Sequence, residues 1–151
     1  KPEYCENIYS TLKNLGLNVY YSVKTNPILI NILEENTDSC FSVHSMKEAE
    51  NVKDKSKILF FKQALDYDIL DKLIDKSINK IVIDNKEDLE TIENYIGEKK
   101  VNIELVLRMK LKEHSIFTEK YFVYGMGSNI VNDAVLRLKD KVKKIGIHIH
   151  K

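Results

Sequence analysis

Several things are scarce in this sequence, and each scarcity excludes something. Two cysteines in 151 residues, Cys5 and Cys40, are too few for a disulfide framework, so reduced thiols are expected. Only five glycines, and no Gly/Ser-rich or low-complexity run, leave no mark of a linker or an internal boundary. An excess of one charge is missing too. The 24 Lys and Arg nearly balance the 23 Asp and Glu, and a formal charge of +1 gives no electrostatic footprint for nucleic acid or an anionic membrane. Apolar runs fall far short of the roughly 20 residues that a bilayer span needs, and the first residues lack the apolar core of a signal peptide. One cytoplasmic domain, with no nucleic-acid and no membrane partner, is the expectation. Because the chain opens on Lys1 and its last residues, IGIHIHK, break off inside a strand pattern, it reads as a piece of a longer polypeptide.

What is present is an alternation of short apolar runs and amphipathic segments. Tyr4, Ile8, Leu12 and Leu15 recur at helical spacing before Gly16, which suits a helix C-cap. A strand is expected over 19–23, and a helix over 28–36 after the start signal Asn26-Pro27. CFSV (40–43) reads as strand, and Ser45 with Glu48 forms a capping box for the next helix. Then come strand 57–61, helix 67–76 and strand 80–83. Asp84 is the expected cap, and Gly97 the expected end, of the following helix. Strand 101–109, a polar stretch to Gly127, helix 129–141 and a last strand complete the pattern. Six short strands separated by helices imply a parallel sheet buried on both faces, which a doubly wound sheet and a (β/α)8 barrel satisfy equally.

Parallel α/β folds carry function at the C-terminal ends of their strands. The residues expected there are Lys24, Ser42 to Ser45, Lys62, Asp84, Arg108 and His148 to His150. Lys24 stands out in VYYSVKTNP (19–27), because an ammonium in an apolar strand is costly without a partner or a task. Partial desolvation would lower its pKa and free the amine to form a Schiff base. His148 and His150 lie two apart on one strand and face the same side, an arrangement open to a metal pair or to simple packing.

In order along the chain, YSVKTNP, FSVHSMKEAE, KIVIDNKEDLETI, LVLRMK, FVYGM and GIHIH resemble the N-terminal barrel of the fold-type III pyridoxal phosphate decarboxylases. The resemblance covers nearly the whole chain. It implies an α/β fold, a TIM-like (β/α)8 barrel of the alanine racemase and ornithine decarboxylase type, with about six of its strands present. It implies pyridoxal 5'-phosphate as cofactor. The substrate would be a basic or diamino acid: ornithine, arginine, lysine, diaminopimelate or a carboxynorspermidine-like compound, as in amino-acid metabolism and polyamine biosynthesis. The full-length protein would be a homodimer. By the same resemblance Lys24 forms the internal aldimine, His150 stacks on the pyridine ring, Arg108 lies near the cofactor and Glu48 stands near the active site. The glycine-rich phosphate loop, the acidic partner of the pyridinium nitrogen and the second-domain Cys and Asp would lie beyond Lys151, and Gly125-Met-Gly127-Ser128 is not that loop.

Two departures stand out. Many members read Phe-Asp-Val-x-Ser where this chain has Phe41-Ser42-Val43-His44-Ser45, so a carboxylate near the lysine is replaced by Ser42, itself a candidate cofactor contact. FKQAL (61–65) stands where Asn-Pro and a later Lys are common, and Lys62 or Gln63 fills that place. Two other readings stay open: a non-catalytic barrel that carries pyridoxal phosphate or regulates a decarboxylase, and a metal-dependent hydrolase built on His148 and His150.

Overall fold

The structure is a computed structural model and describes residues 2–111 and 124–149. Among the described residues six α-helices and six strands alternate: α1 (Pro2–Asn14), β1 (Tyr20–Ser22), α2 (Ile30–Asn36), β2 (Cys40–Val43), α3 (Met46–Glu50), β3 (Ile58–Phe61), α4 (Tyr67–Asp75), β4 (Lys80–Ile83), α5 (Lys86–Lys99), β5 (Glu104–Met109), α6 (Ser128–Leu138) and β6 (Lys144–Ile149). All strands are parallel and pair in chain order, β1 to β6. That order decides between the two expected architectures. A doubly wound sheet reverses its strand order at a switch point, whereas an unbroken order with right-handed crossovers keeps every helix on one face and curls the sheet into part of a barrel.

Strand parity divides the side chains between the two faces. Phe41, Val43, Ile58, Phe60, Ile81, Ile83, Leu105 and Leu107 point outward and are closed off beneath the helices, where Leu70, Leu73, Ile92, Val131 and Ala134 meet them. Each large side chain so buried is worth about 1.5–3 kcal/mol relative to exposure. The alternate positions, among them Ser22, Ser42, Phe61, Val82, Arg108 and His148, face the concave side.

Local chemistry corrects several expected details. In α1 the inward stripe is Cys5, Tyr9 and Leu12; Tyr4, Ile8 and Leu15 are exposed. Gly16, at φ +77, does follow the helix as a left-handed stop. Pro27 opens a short 3-10 turn, Pro27–Leu29, before α2, with Asn26 Oδ1 accepting from the Ile28 N–H at 3.2 Å. The cap of α5 is Asn85 rather than Asp84: its Oδ1 accepts from the Asp88 N–H at 2.7 Å. Gly97 lies inside α5, which runs on to Lys99 and ends at Lys100 in the left-handed region, φ 50. Cys5 and Cys40 are both half-buried free thiols.

Candidate active site

The C-terminal ends of the strands surround a cavity of about 650 Å³ on the concave side. Lys24 reaches it from a turn, not from the strand itself. β1 stops at Ser22, the Thr25 N–H bonds back to the Ser22 carbonyl at 3.2 Å, and the Tyr21 hydroxyl donates to the Asn26 carbonyl at 2.9 Å. Val23 is buried beneath the turn and Lys24 is exposed at its tip. The partial burial expected for this ammonium is therefore absent. Strand ends bend away where Asn-Pro follows, and the side chain leaves the sheet with them.

The ladder continues one step past β1, since the Val23 N–H donates to the Ser42 carbonyl at 3.1 Å. With Ser22 opposite Ser42, parity puts Lys24 and His44 side by side on the cavity face. His44 stacks on Phe61, with centroids 5.0 Å apart and planes 25° apart, and Phe61 meets the edge of His148 at 5.5 Å. This aromatic shelf crosses the mouth from β2 to β6. Burial, then the Lys24 and Arg108 cations, lower the pKa of His44 against the opposing pull of Glu48, so its imidazole is neutral near pH 7.

On the far side, Asp84 is 8% exposed and holds a polar cluster. Its Oδ2 accepts from Gln63 Nε2 at 2.7 Å and from Arg108 Nη1 at 3.5 Å, while its buried Oδ1 takes no hydrogen bond. Arg108 lies under the Tyr124 ring, 5.1 Å from its centroid. Tyr124 is placed by Gly125 at φ +98, where a Cβ would come within 3.0 Å of the Lys110 nitrogen and 3.1 Å of the Arg108 oxygen. Only glycine suits that close, left-handed approach. The loop after β3 supplies Lys62 and Gln63 and turns through Ala64 at φ 57; Asp88 fixes it by accepting from the Leu65 N–H at 2.7 Å.

Of the residues expected to form the site, Lys24, Ser42 and Arg108 line the cavity, together with Lys62, Gln63, His44 and His148. Glu48 does not. Its carboxylate accepts from the His44 N–H at 2.7 Å while its own N–H bonds Ser45 Oγ at 3.1 Å, so it anchors the start of α3 and holds the His44 backbone. His150 and His114 lie outside the described residues. Among the described residues no group of three or more His, Cys, Asp or Glu could hold a metal ion, and no helix is long and apolar enough to cross a membrane. Sequence reasoning gave no role to Phe61 or Tyr124. The parity of β3 pointed to Phe61; Tyr124 stood within the FVYGM stretch, but its place over Arg108 depends on the Gly125 contact, which no sequence pattern reports.

Comparisons with known proteins follow the same line. A family model, "Pyridoxal-dependent decarboxylase, pyridoxal binding domain", matches residues 4–150. No curated protein matches closely enough to be called a relative. Among solved structures, the chain is similar to the Paramecium bursaria Chlorella virus arginine decarboxylase bound to agmatine, at 19% identity, with a TM-score of 0.72 and 99% of this chain on 42% of that one. It is similar to lysine decarboxylase from Selenomonas ruminantium, at 16% identity, with a TM-score of 0.71 and 99% of this chain on 40% of that one. It is also similar to diaminopimelate decarboxylase from Helicobacter pylori complexed with L-lysine, at 15% identity, with a TM-score of 0.70 and 88% of this chain on 37% of that one. At these identities the likeness shows the fold, and the chain spans about two fifths of the length of those chains.

Proposed function

Because the chain belongs to the pyridoxal-dependent decarboxylases, by their pyridoxal-binding domain, we propose that the protein carrying it decarboxylates a basic or diamino acid, with Lys24 as the amine that holds pyridoxal phosphate. The observation that carries this reading is a primary amine at the tip of the β1 turn, facing a cavity at the C-terminal ends of six parallel strands. The residues present fit the cofactor. Lys62 and Arg108 supply positive charge for an anionic molecule, the buried Asp84 Oδ1 leaves an acceptor without a donor, and the cavity has the volume usual for small-molecule sites.

When bound, pyridoxal phosphate supplies the electron sink that allows a bond at the amino acid's Cα to break. The rest falls to the protein. Lys24 offers Nζ, a nucleophile once it has lost its proton, and exposure at the turn tip leaves room for a substrate amine to reach the same place. His44, neutral beside it, can accept a hydrogen bond from that ammonium at an imidazole nitrogen. Phe61, stacked on His44 and met edge-on by His148, lines this side of the mouth with apolar ring surface. Asp84, fixed by Gln63, sets the direction of the Arg108 guanidinium. Substrate identity, a homodimer and a cytoplasmic location remain parts of this proposal.

The test is spectroscopic. Full-length protein mixed with pyridoxal phosphate should develop an absorbance band near the visible edge, borohydride should abolish it, and peptide mapping should place the reduced label on Lys24. Release of CO2 from an amino acid then separates an enzyme from a carrier. A colourless protein with no label at Lys24 refutes the proposal.

A further inference from the structure

The cavity has more positive charge than its own groups balance. Its described lining carries the cations Lys24, Lys62 and Arg108 against one carboxylate, Asp84, a surplus of two positive charges. Arg108 is paired with Asp84. Lys62 is different. It sits just past the end of β3, is half-buried, lines the cavity, and has neither a salt bridge nor a hydrogen bond among the described residues. Part of its surface is covered by the protein, as long lysine stems commonly are, and it brings a cation with no counter-charge among the described residues to the cavity wall. Of the other lysines, Lys53 meets Glu35, Lys57 meets Asp38, and Lys55 bonds the carbonyls at the end of α3; Lys80 and Lys110, half-buried like Lys62, have no ion pair among the described residues but do not line the cavity.

The position of Lys62 is also built rather than loose. The loop that carries it passes through Ala64 in the left-handed region, a conformation that costs about 1–2 kcal/mol for a residue with a Cβ. That conformation is held because Asp88 binds the Leu65 N–H and Gln63 binds Asp84. A surface lysine needs no such support. Serine at 42 adds to the effect, since hydroxyls at Ser22 and Ser42 are neutral neighbours that leave the surplus charge uncompensated.

We propose that Lys62 is an oxyanion subsite of this cavity, receiving a carboxylate or phosphate group of the molecule bound there. The inference rests on the function proposed above for its setting. It deepens that reading: a carboxylate there selects a diamino acid with a second carboxyl group over a simple diamine-forming one, whereas a phosphate there is the cofactor's own.

Cofactor-free full-length protein is titrated with inorganic phosphate and, separately, with glutarate at constant ionic strength, and binding is read from the thermal unfolding midpoint. Pyridoxal phosphate and unphosphorylated pyridoxal are titrated in parallel by absorbance. Lys62→Gln should weaken the preferred anion about tenfold, as expected for loss of one charge-assisted contact. Lys62→Arg should restore most of the affinity, and Lys141→Gln, an exposed lysine outside the cavity, should change nothing. Loss of phosphate binding together with loss of preference for pyridoxal phosphate over pyridoxal assigns the subsite to the cofactor. Loss confined to glutarate assigns it to the substrate. Equal binding of both anions by the parent protein and Lys62→Gln, or binding of neither by the parent, overturns the subsite. A protein that binds an anion through Lys62 yet takes no label at Lys24 refutes the proposed function and leaves the subsite standing.

Discussion

Asp88 holds the loop that brings Lys62 and Gln63 to the cavity, and replacing it by alanine tests that arrangement directly. The carboxylate is 2% exposed and accepts from the Leu65 N–H and from Asn85 Nδ2, each at 2.7 Å. Alanine removes two charge-assisted hydrogen bonds and leaves the N–H of a buried residue without a partner. A hydrogen bond to a charged group is worth about 1.5–3 kcal/mol, and an orphaned buried donor costs about 1–3 kcal/mol. The two overlap, so Asp88→Ala should destabilise by about 2–4 kcal/mol. Asp88→Asn keeps an acceptor for Leu65 but sets an amide against the Asn85 amide, and should cost about half as much. Urea unfolding followed by circular dichroism reads the loss as a midpoint lowered by about 1–2 M at ordinary slopes. With the loop released, oxyanion affinity at Lys62 should fall in the folded protein. If Asp88→Ala unfolds within about 0.5 kcal/mol of the parent, the loop is held by something else and the reasoning fails.

Gly125→Ala should destabilise by about 2–4 kcal/mol through a strained φ and contact with the backbone of residues 108–110, and should also weaken pyridoxal phosphate binding by shifting Tyr124 off Arg108; unaltered binding and unfolding would contradict this. Lys100→Gly should stabilise by about 0.5–1 kcal/mol, because a left-handed C-cap suits glycine, and thermal melting checks it. The hydrogen bond from Lys143, at 2.8 Å, holds the Glu104 carboxyl below its ordinary pKa of 4.5. A lowered folded value gives stability that is present above about 4.5 and lost as pH falls through the folded value. Glu104→Gln should therefore be less stable than the parent near pH 7 by up to ~1 kcal/mol after solvent screening, with the gap closing in acid; a gap that is constant with pH would rule the pair out.

The element order was legible because each strand and helix carries its own period, and the periods of 2 and 3.6 do not depend on the rest of the fold. Faces were harder. Of the expected stripe Tyr4, Ile8, Leu12 and Leu15 in α1, only Leu12 turns inward, joined by Cys5 and Tyr9, since several apolar arcs compete on one short helix and packing chooses among them. Asp84 and Asn85 are equally able caps by residue type; the alternation of β4 decides, by directing residue 84 into the mouth and leaving Asn85 to the helix. Lys24 was placed at the correct mouth but with the wrong environment, because the Ser22–Thr25 turn that exposes it depends on the Tyr21 hydroxyl reaching Asn26. Gln63, Asp84 and Arg108 were visible only as separate residues. Their cluster joins three strands, 21 and 24 positions apart, and no local pattern reports it.

The unbroken strand order has a consequence for biogenesis. Tyr20 pairs with Cys40, Phe41 with Ile58, Leu59 with Lys80 and Lys80 with Glu104, so each new strand docks on the one made just before it. Loops of such modest length close at little entropic cost. A nascent chain leaving the ribosome can thus add one β-α unit at a time to a growing template, with no strand obliged to wait for a distant mate while its apolar side chains stand in water.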